Sequence, residues 1–342
     1  MMNHWRLALA LALSIPCGAA PAADGAFAGK VVTVLIPSNP GGGIDAYSRL
    51  LARHIGRHIP GQPSVTVQNA PGAGGLRALN MLVGKPPHDG TVILNVNSGN
   101  VIHELMGEPG MDVSLKKLNW LGDISQSNPV DVTWPHSKIK TLDDARNNVT
   151  RVGATGVGSS PAQIAWAFNA LAGTKYHVIL GYTGAGEYDL AIQRGELDGR
   201  NVTSYTSYMA GIPEEVRPKI NLLAQLGVRK DPNVPDHVPL LLDIVKGDPK
   251  KEAAARLLAL AFASINRPFA VSPAVPADRV AMLRQAFADT MKDPQFVAEA
   301  QRMNADLSPT TGEQLEAFVN EALSFPPEIV ELLKEALREP KP

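Results

Sequence analysis

The sequence predicts an α/β protein of two lobes, each a sheet flanked by helices with a hinge between them. Three observations carry that reading. An apolar, β-branched run followed by a glycine-rich loop and a helical pattern occurs twice within about seventy residues of position 31. The same order of strand, glycine loop and helix returns after residue 150. From residue 252 onward the pattern is mainly helical. Strands alternating with helices in this way form doubly wound α/β domains, whose ligands sit outside the carboxyl ends of the strands.

Residues 31–36 (VVTVLI) are apolar on both faces, as in a buried strand. Two prolines and three consecutive glycines follow, at 37–43, and then a helix whose first turn Asp45 can cap or charge. Tyr47, Leu50, Leu51, Ile55 and Ile59 fall at helical spacing, and Pro60-Gly61 ends the pattern. A second strand, 65–67, runs into the loop 68–75 (QNAPGAGG), after which Leu76, Leu79, Met81 and Leu82 read as a helix. The third strand is 91–96, entered through the turn His88-Asp89-Gly90.

Residues 130–134 alternate like a strand, and 141–144 start a helix. The strand 152–155 leads into 156–161 (GVGSSP). There Ser160 reads as a helix cap, Pro161 as the first helical residue and Gln163 as the closing member of a capping box. Gly173 stops that helix. A strand at 178–180, the loop 181–186 and a short helix ending at Gly195 come next, followed by the polar segment 198–207 and a strand at 221–227. Helices are expected at 252–264, 277–291, 294–303, 312–322 and 326–338.

The 342 residues fit one large or two medium domains. Thirty-two basic against 33 acidic residues leave a net charge of −1, which excludes the basic field of a nucleic-acid binder. Residues 1–28 have the layout of a secretory leader: Arg6, nine apolar residues at 7–15, then small residues, with cleavage after Ala22, Ala23 or Ala28. An exported, periplasmic product is therefore expected. The only cysteine, Cys17, lies in this leader, so disulfides and thiol chemistry are not expected in the mature chain.

A glycine loop between a strand and a helix presents bare N–H groups to an anion, and the helix N-terminus adds a partial positive charge. These loops are neither P-loops nor dinucleotide fingerprints. No Gly-Lys-Ser/Thr ends the first, and no acidic residue closes the strand after the second. No cofactor is expected. Residues 158–162 are one position from a Gly-x-Ser-x-Gly elbow, so a secreted serine hydrolase using Ser160 is the alternative from another class. Asp198 or Asp236 and His237 are formally available to it, but Pro161 lacks the N–H that usually serves the oxyanion. His54 and His58 have metal-ligand spacing on a helix, but Arg53 and Arg57 beside them repel a cation, and no metal site is expected. Tyr182, Tyr205 and Tyr208 lie in or near the later loops, where they pack or wall a pocket.

Taken together, the segments 37–49 (PSNPGGGIDAYSR), 68–75, 88–94 (HDGTVIL), 140–144 (KTLDD), 156–161, 182–190 (YTGAGEYDL) and 195–198 (GELD) resemble, in order and spacing, the substrate-binding proteins of tripartite tricarboxylate transporters, the Bug-type periplasmic receptors. The resemblance covers nearly the whole chain after the leader. It implies a type II-like periplasmic binding protein, not an enzyme, that holds a small organic carboxylate, a di- or tricarboxylate, between its lobes. Its partners would be the membrane permease subunits of such a transporter, with a sensing role beside a membrane kinase as a variant. A monomer is expected.

Carried over residue by residue, the first-lobe contacts are Ser38, Asn39, Gly42, Asp45, Gly72, Ala73 and Gly74. The second-lobe contacts are Ser159, Ser160, Tyr182, Thr183 and Asp198, with Arg200 and Tyr205 as selectivity candidates. Asp45 and Asp198 are expected to orient loops or waters, since like charges repel a carboxylate. Ser38 stands where the family has an aromatic residue, and Thr183 where it has lysine. The expected lobes are 29–126 with 238–342, and 127–237.

Overall fold

The computed structural model describes residues 25–338 apart from Gly42, Lys85, Pro86, Gly158 and Thr183. Residues 1–24 of the expected leader lie outside the described residues. In chain order the first half runs β1 (Val31–Ile36), α1 (Gly43–Ile55), β2 (Ser64–Asn69), α2 (Leu76–Gly84), β3 (Val92–Asn95), α3 (Gly99–Met106), β4 (Asn119–Asp123), β5 (Val130–Thr133), α4 (Leu142–Asn147), β6 (Thr150–Gly153), α5 (Ser160–Ala172) and β7 (Tyr176–Ile179). It continues α6 (Ala185–Gln193), β8 (Gly199–Val202), α7 (Tyr205–Ala210), β9 (Asn221–Gln225), α8 (Leu241–Ile244), α9 (Pro249–Ala259), β10 (Pro268–Val271), α10 (Ala277–Lys292), α11 (Pro294–Arg302), β11 (Thr310–Thr311), α12 (Gly312–Ala322) and α13 (Pro327–Ala336).

Two sheets result. The first has the order β11-β4-β10-β3-β1-β2 and the second β7-β6-β8-β5-β9. In the first, β2, β1 and β3 are parallel, with Val34 opposite both Val67 and Ile93, while β10 is antiparallel to β3 and β4. Parallel strands place their carboxyl ends, and the loops that follow them, along one edge. In the second sheet β7, β6 and β8 are parallel and β5 is antiparallel to β8 and β9.

Alternation along β1 explains the layering. Val32, Val34 and Ile36 enter one apolar cluster with Leu50, Ile55, Phe269 and Phe296. Leu35 points the other way, into a second cluster with Leu79, Trp120 and Leu257. Phe27 is fully buried in the first of these clusters. The fold therefore begins before residue 28, and an expected leader extending to 28 would remove a core side chain. The second cluster continues across the lobes, through Ile164 and Phe168 of α5 to Leu241 and Leu333. Helices α8 and α13 pack on α5, so part of the C-terminal segment expected in the first lobe flanks the second.

The chain leaves the first sheet after Asp123 and returns at Pro268. These two crossings are tied together at one point. The buried Asp123 carboxylate accepts the backbone N–H groups of Asn266 (2.8 Å) and Arg267 (3.0 Å) from one crossing and of Ser125 (2.9 Å) from the other.

Candidate functional site

The first-lobe loops are braced from below. Asn69, the last residue of β2, donates its Nδ2 to the Ser38 carbonyl (2.8 Å) and to Asp45 Oδ1 (2.9 Å), and its Oδ1 accepts from Arg49 Nη2 (2.9 Å). Asp45 Oδ2 accepts the Gly41 N–H and the Arg49 Nε–H, each at 2.9 Å. The Arg49 guanidinium, with Asn69 and Gly41, outweighs burial and holds the Asp45 carboxyl at about 2. Asp45 is buried, with its charge directed at these partners. It shapes the first glycine loop and fixes that loop to the end of β2.

The second loop approaches the third closely. Gly72, Ala73, Gly74 and Gly75 all have positive φ. A Cβ on Gly75 would lie 2.8 Å from Asn97 Cβ and 3.3 Å from Pro37 Cβ, so glycine is required where the ends of β1, β2 and β3 meet. Asn100 Nδ2 donates to the Gly74 carbonyl (3.2 Å), and the Gly99 N–H donates to Asn97 Oδ1 (3.0 Å).

A cleft of about 880 Å³ brings the lobes together at this point. Ala73, Gly74, Asn97, Ser98 and Asn100 line it from the first lobe, and Ser159, Ser160 and Gln163 from the second. The N-terminus of α5 thus opens onto the second glycine loop. The cap differs from the sequence expectation. Ser159 holds the N-cap position, and its hydroxyl donates to the Gly156 carbonyl (2.7 Å) instead of accepting from the helix, so the predicted capping box does not form. That leaves the α5 terminus without a side-chain cap.

The remaining expected contacts distribute differently. Gly42 and Thr183 lie outside the described residues. The Ser38 hydroxyl is buried without a hydrogen-bond partner, and Asn39 is exposed. Asp198 sits at the entry of β8, the end of the sheet opposite the cleft. It binds the Arg151 N–H (2.8 Å) and the Arg151 guanidinium (3.1 Å), which outweigh burial and lower its pKa. Arg200 lines a separate cavity in the second lobe with Trp134 and Ser204. Its Nε lies 3.1 Å from Asp189 Oδ1, its Nη1 donates to the Tyr188 hydroxyl (2.9 Å), and the rings of Tyr188 and Tyr208 each lie 5.0 Å from its Cζ. Its charge is already matched inside the second lobe. Tyr205 borders a separate cavity with Lys140 and Leu222, and Tyr182 packs edge-on against Tyr188.

Sequence reading missed Asn97, Ser98 and Asn100. The available signal was positional: residues 97–100 (NSGN) are the third loop in the first lobe to follow a strand. His103 also borders the cleft near Ser160, but Glu108 takes its Nδ1 (2.9 Å) and the Pro109 carbonyl its Nε2 (3.1 Å), so it has no nitrogen left to act as a base for a serine.

No family model matches the chain. Several solved structures share its fold. A TctC solute binding protein from Polaromonas superposes with a TM-score of 0.67 at 18% identity, covering 89% of this chain and 98% of that one. MatC from Rhodopseudomonas palustris with bound malate gives 0.60 at 17%, over 89% and 98%. An R. palustris protein with adipate gives 0.60 at 16%, over 89% and 97%. Sequence likeness is more specific. Over 184 residues, 52% of each chain, this protein is 28% identical to the protein BugT of Bordetella pertussis. It is 36% identical over 94 residues, 28% of this chain and 27% of the other, to a UPF0065 protein of a Pseudomonas species. The chain resembles a Bug-type protein in sequence and solute-binding proteins of the TctC and BugD kind in fold. The matched segments span about half of one relative and about a quarter of the other. Ala73 and Gly74 of the second glycine loop and the uncapped terminus of α5 line the same cleft.

Proposed function

We propose that this protein is a periplasmic receptor that captures a small organic carboxylate, a di- or tricarboxylate, between its lobes and delivers it to the permease subunits of a tripartite tricarboxylate transporter. The observation that carries this reading is the facing of Ala73 and Gly74 by Ser159 and Ser160 across one cleft. Backbone N–H groups and hydroxyls of this kind hold a carboxylate with charge-assisted bonds of about 1.5–3 kcal/mol each. The malate and adipate held by two proteins of the same fold are acids of this class.

In this reading the ligand contacts are Ala73, Gly74, Asn97, Ser98, Ser159 and Ser160, while Asp45 and Asn69 hold the first loop in place. The two crossings at Asp123 act as the hinge, and closure excludes water from the anion. The experiment is mass spectrometry of small molecules released when the protein, purified from its native periplasm, is denatured. A carboxylic acid in stoichiometric amount is expected. Recovery of a neutral or cationic ligand contradicts the reading.

A further inference from the structure

Polarity changes along the length of the cleft. Helices α3 and α5 both begin beside the second glycine loop, and each lines the cleft with one face. On α5, Ser160, Gln163 and Trp166 follow one another at three-residue spacing. On α3, Gly99, Ile102 and Met106 do so at three- and four-residue spacing, after the polar Asn97 and Ser98. Six residues of helix rise about 9 Å, so Trp166 stands about 9 Å along the axis from Ser160. Both walls are therefore polar in their first turn and apolar beyond it.

Phe262, in the turn after α9, and Leu337, just past α13, complete the apolar end. Ile102, Trp166 and Leu337 are buried in its wall, while Met106 and Phe262 keep part of their surface open. Val157, in the loop that leads to Ser159, lines the cleft and is 56% exposed. Hydrocarbon left open to water in this way is stabilised by a ligand that covers it. The charged side chains at this end are engaged with each other. Lys334 holds Glu331 (2.7 Å), and His103 Nδ1 lies 2.9 Å from Glu108. Arg338 is exposed at the rim. The cleft volume of about 880 Å³ lies in the range of sites for drug-sized ligands, and a four-carbon acid fills its polar end alone.

We propose that the ligand of this cleft is an acid with an apolar body, carrying a hydrocarbon group the size of an aryl ring. Its carboxylate meets Gly74 and Ser160, and its hydrocarbon part lies between α3 and α5 against Met106, Trp166 and Phe262. The inference rests on the carboxylate-receptor reading above and concerns the part of the ligand that reading leaves open. Hydroxylated acids of the malate or citrate kind suit this end poorly, because their hydroxyls exchange water for carbon there.

The test is calorimetric titration of the wild-type mature chain with pairs of acids that share their carboxylates and differ only in hydrocarbon. The pairs are succinate with phenylsuccinate and butyrate with 4-phenylbutyrate; malate and citrate are the hydroxylated comparison. In the pair that binds more tightly, the phenyl member is expected to bind about ten- to a hundredfold tighter than its partner, with a more negative heat-capacity change. Val157→Ser, at an exposed position that tolerates the change, and Met106→Gln are each expected to narrow that gap. Equal affinities within both pairs, or tighter binding of malate or citrate than of either phenyl acid, overturn the inference and leave the receptor reading standing. A gap unchanged in both variants places the phenyl group elsewhere and overturns the inference as well. Failure of the wild type to bind any of these acids overturns the receptor reading, and this inference with it.

Discussion

Ser204, in the second lobe, donates its hydroxyl to the carboxylate of Asp306, in the first. A second bond runs beside it, from the Ser207 hydroxyl to the Asn304 carbonyl (3.1 Å). A ligand can favour closure only by contacts that the open form lacks, and these two bonds are expected to be contacts of that kind. Ser204→Ala is expected to lower ligand affinity about tenfold, the loss of one charge-assisted hydrogen bond of about 1.5 kcal/mol. Small-angle scattering of the ligand-saturated variant is expected to show a larger radius of gyration than wild type. Equal affinity and equal radius would remove the latch.

Asn69 joins two glycine loops and an ion pair through one amide group. Asn69→Ala strands the Arg49–Asp45 pair and frees the Ser38 carbonyl, at a cost of about 1–3 kcal/mol in stability. Asp45 is held at about 2 against an ordinary 3.8, so its contribution is complete above about pH 4 and disappears as the pH falls through 2. In Asn69→Ala the Asp45 carboxyl titrates at higher pH, which carbon-13 NMR of the side chain detects.

Asp131 carries the opposite dependence. It is buried in the second lobe between the Asn201 amide (2.9 Å) and the Tyr176 hydroxyl (3.1 Å), and burial raises it to about 7 from 3.8. The folded protein therefore keeps a proton that the unfolded chain has released, and stability falls as the pH rises from about 4 to 7. Asp131→Asn flattens this slope, leaving the part due to Asp123, which burial also raises to about 7. Denaturation midpoints at both ends of that range test it; an equal slope in variant and wild type would show that Asp131 does not titrate there.

Phe27 tests where the fold starts. Its ring is fully buried against the Gly90 and Leu283 neighbourhood of the first lobe. Phe27→Ala is expected to cost about 3–5 kcal/mol, as measured by chemical denaturation. Amino-terminal sequencing of the exported protein should accordingly place processing before Phe27, at Ala22 or Ala23, and not after Ala28.

The parallel strands β1, β2 and β3 were legible because β-branched runs end in glycine or asparagine, a signal that needs no knowledge of neighbours. Strands β4 and β10 were not. Gly122-Asp123 breaks the apolar pattern of one and Pro268 opens the other, and each becomes a strand through pairing with a segment about 145 positions away. The site shows the same division. Gly74 and Ser160 were visible as local loop chemistry. That Arg200 lies between two tyrosine rings depends on how α6 and α7 fold back, which local patterns do not contain.

The central claim is that the cleft between Gly74 and Ser160 binds a carboxylate. Replacing Ala73, which lines that cleft from the apex of the loop, by leucine tests it most directly, because the added bulk enters the space an anion would occupy. Calorimetry of the folded Ala73→Leu protein with the acid recovered from wild type should show binding lost by at least about a hundredfold, which is about 2.7 kcal/mol. Wild-type affinity in that variant, with the fold intact, would place the ligand elsewhere and contradict the account.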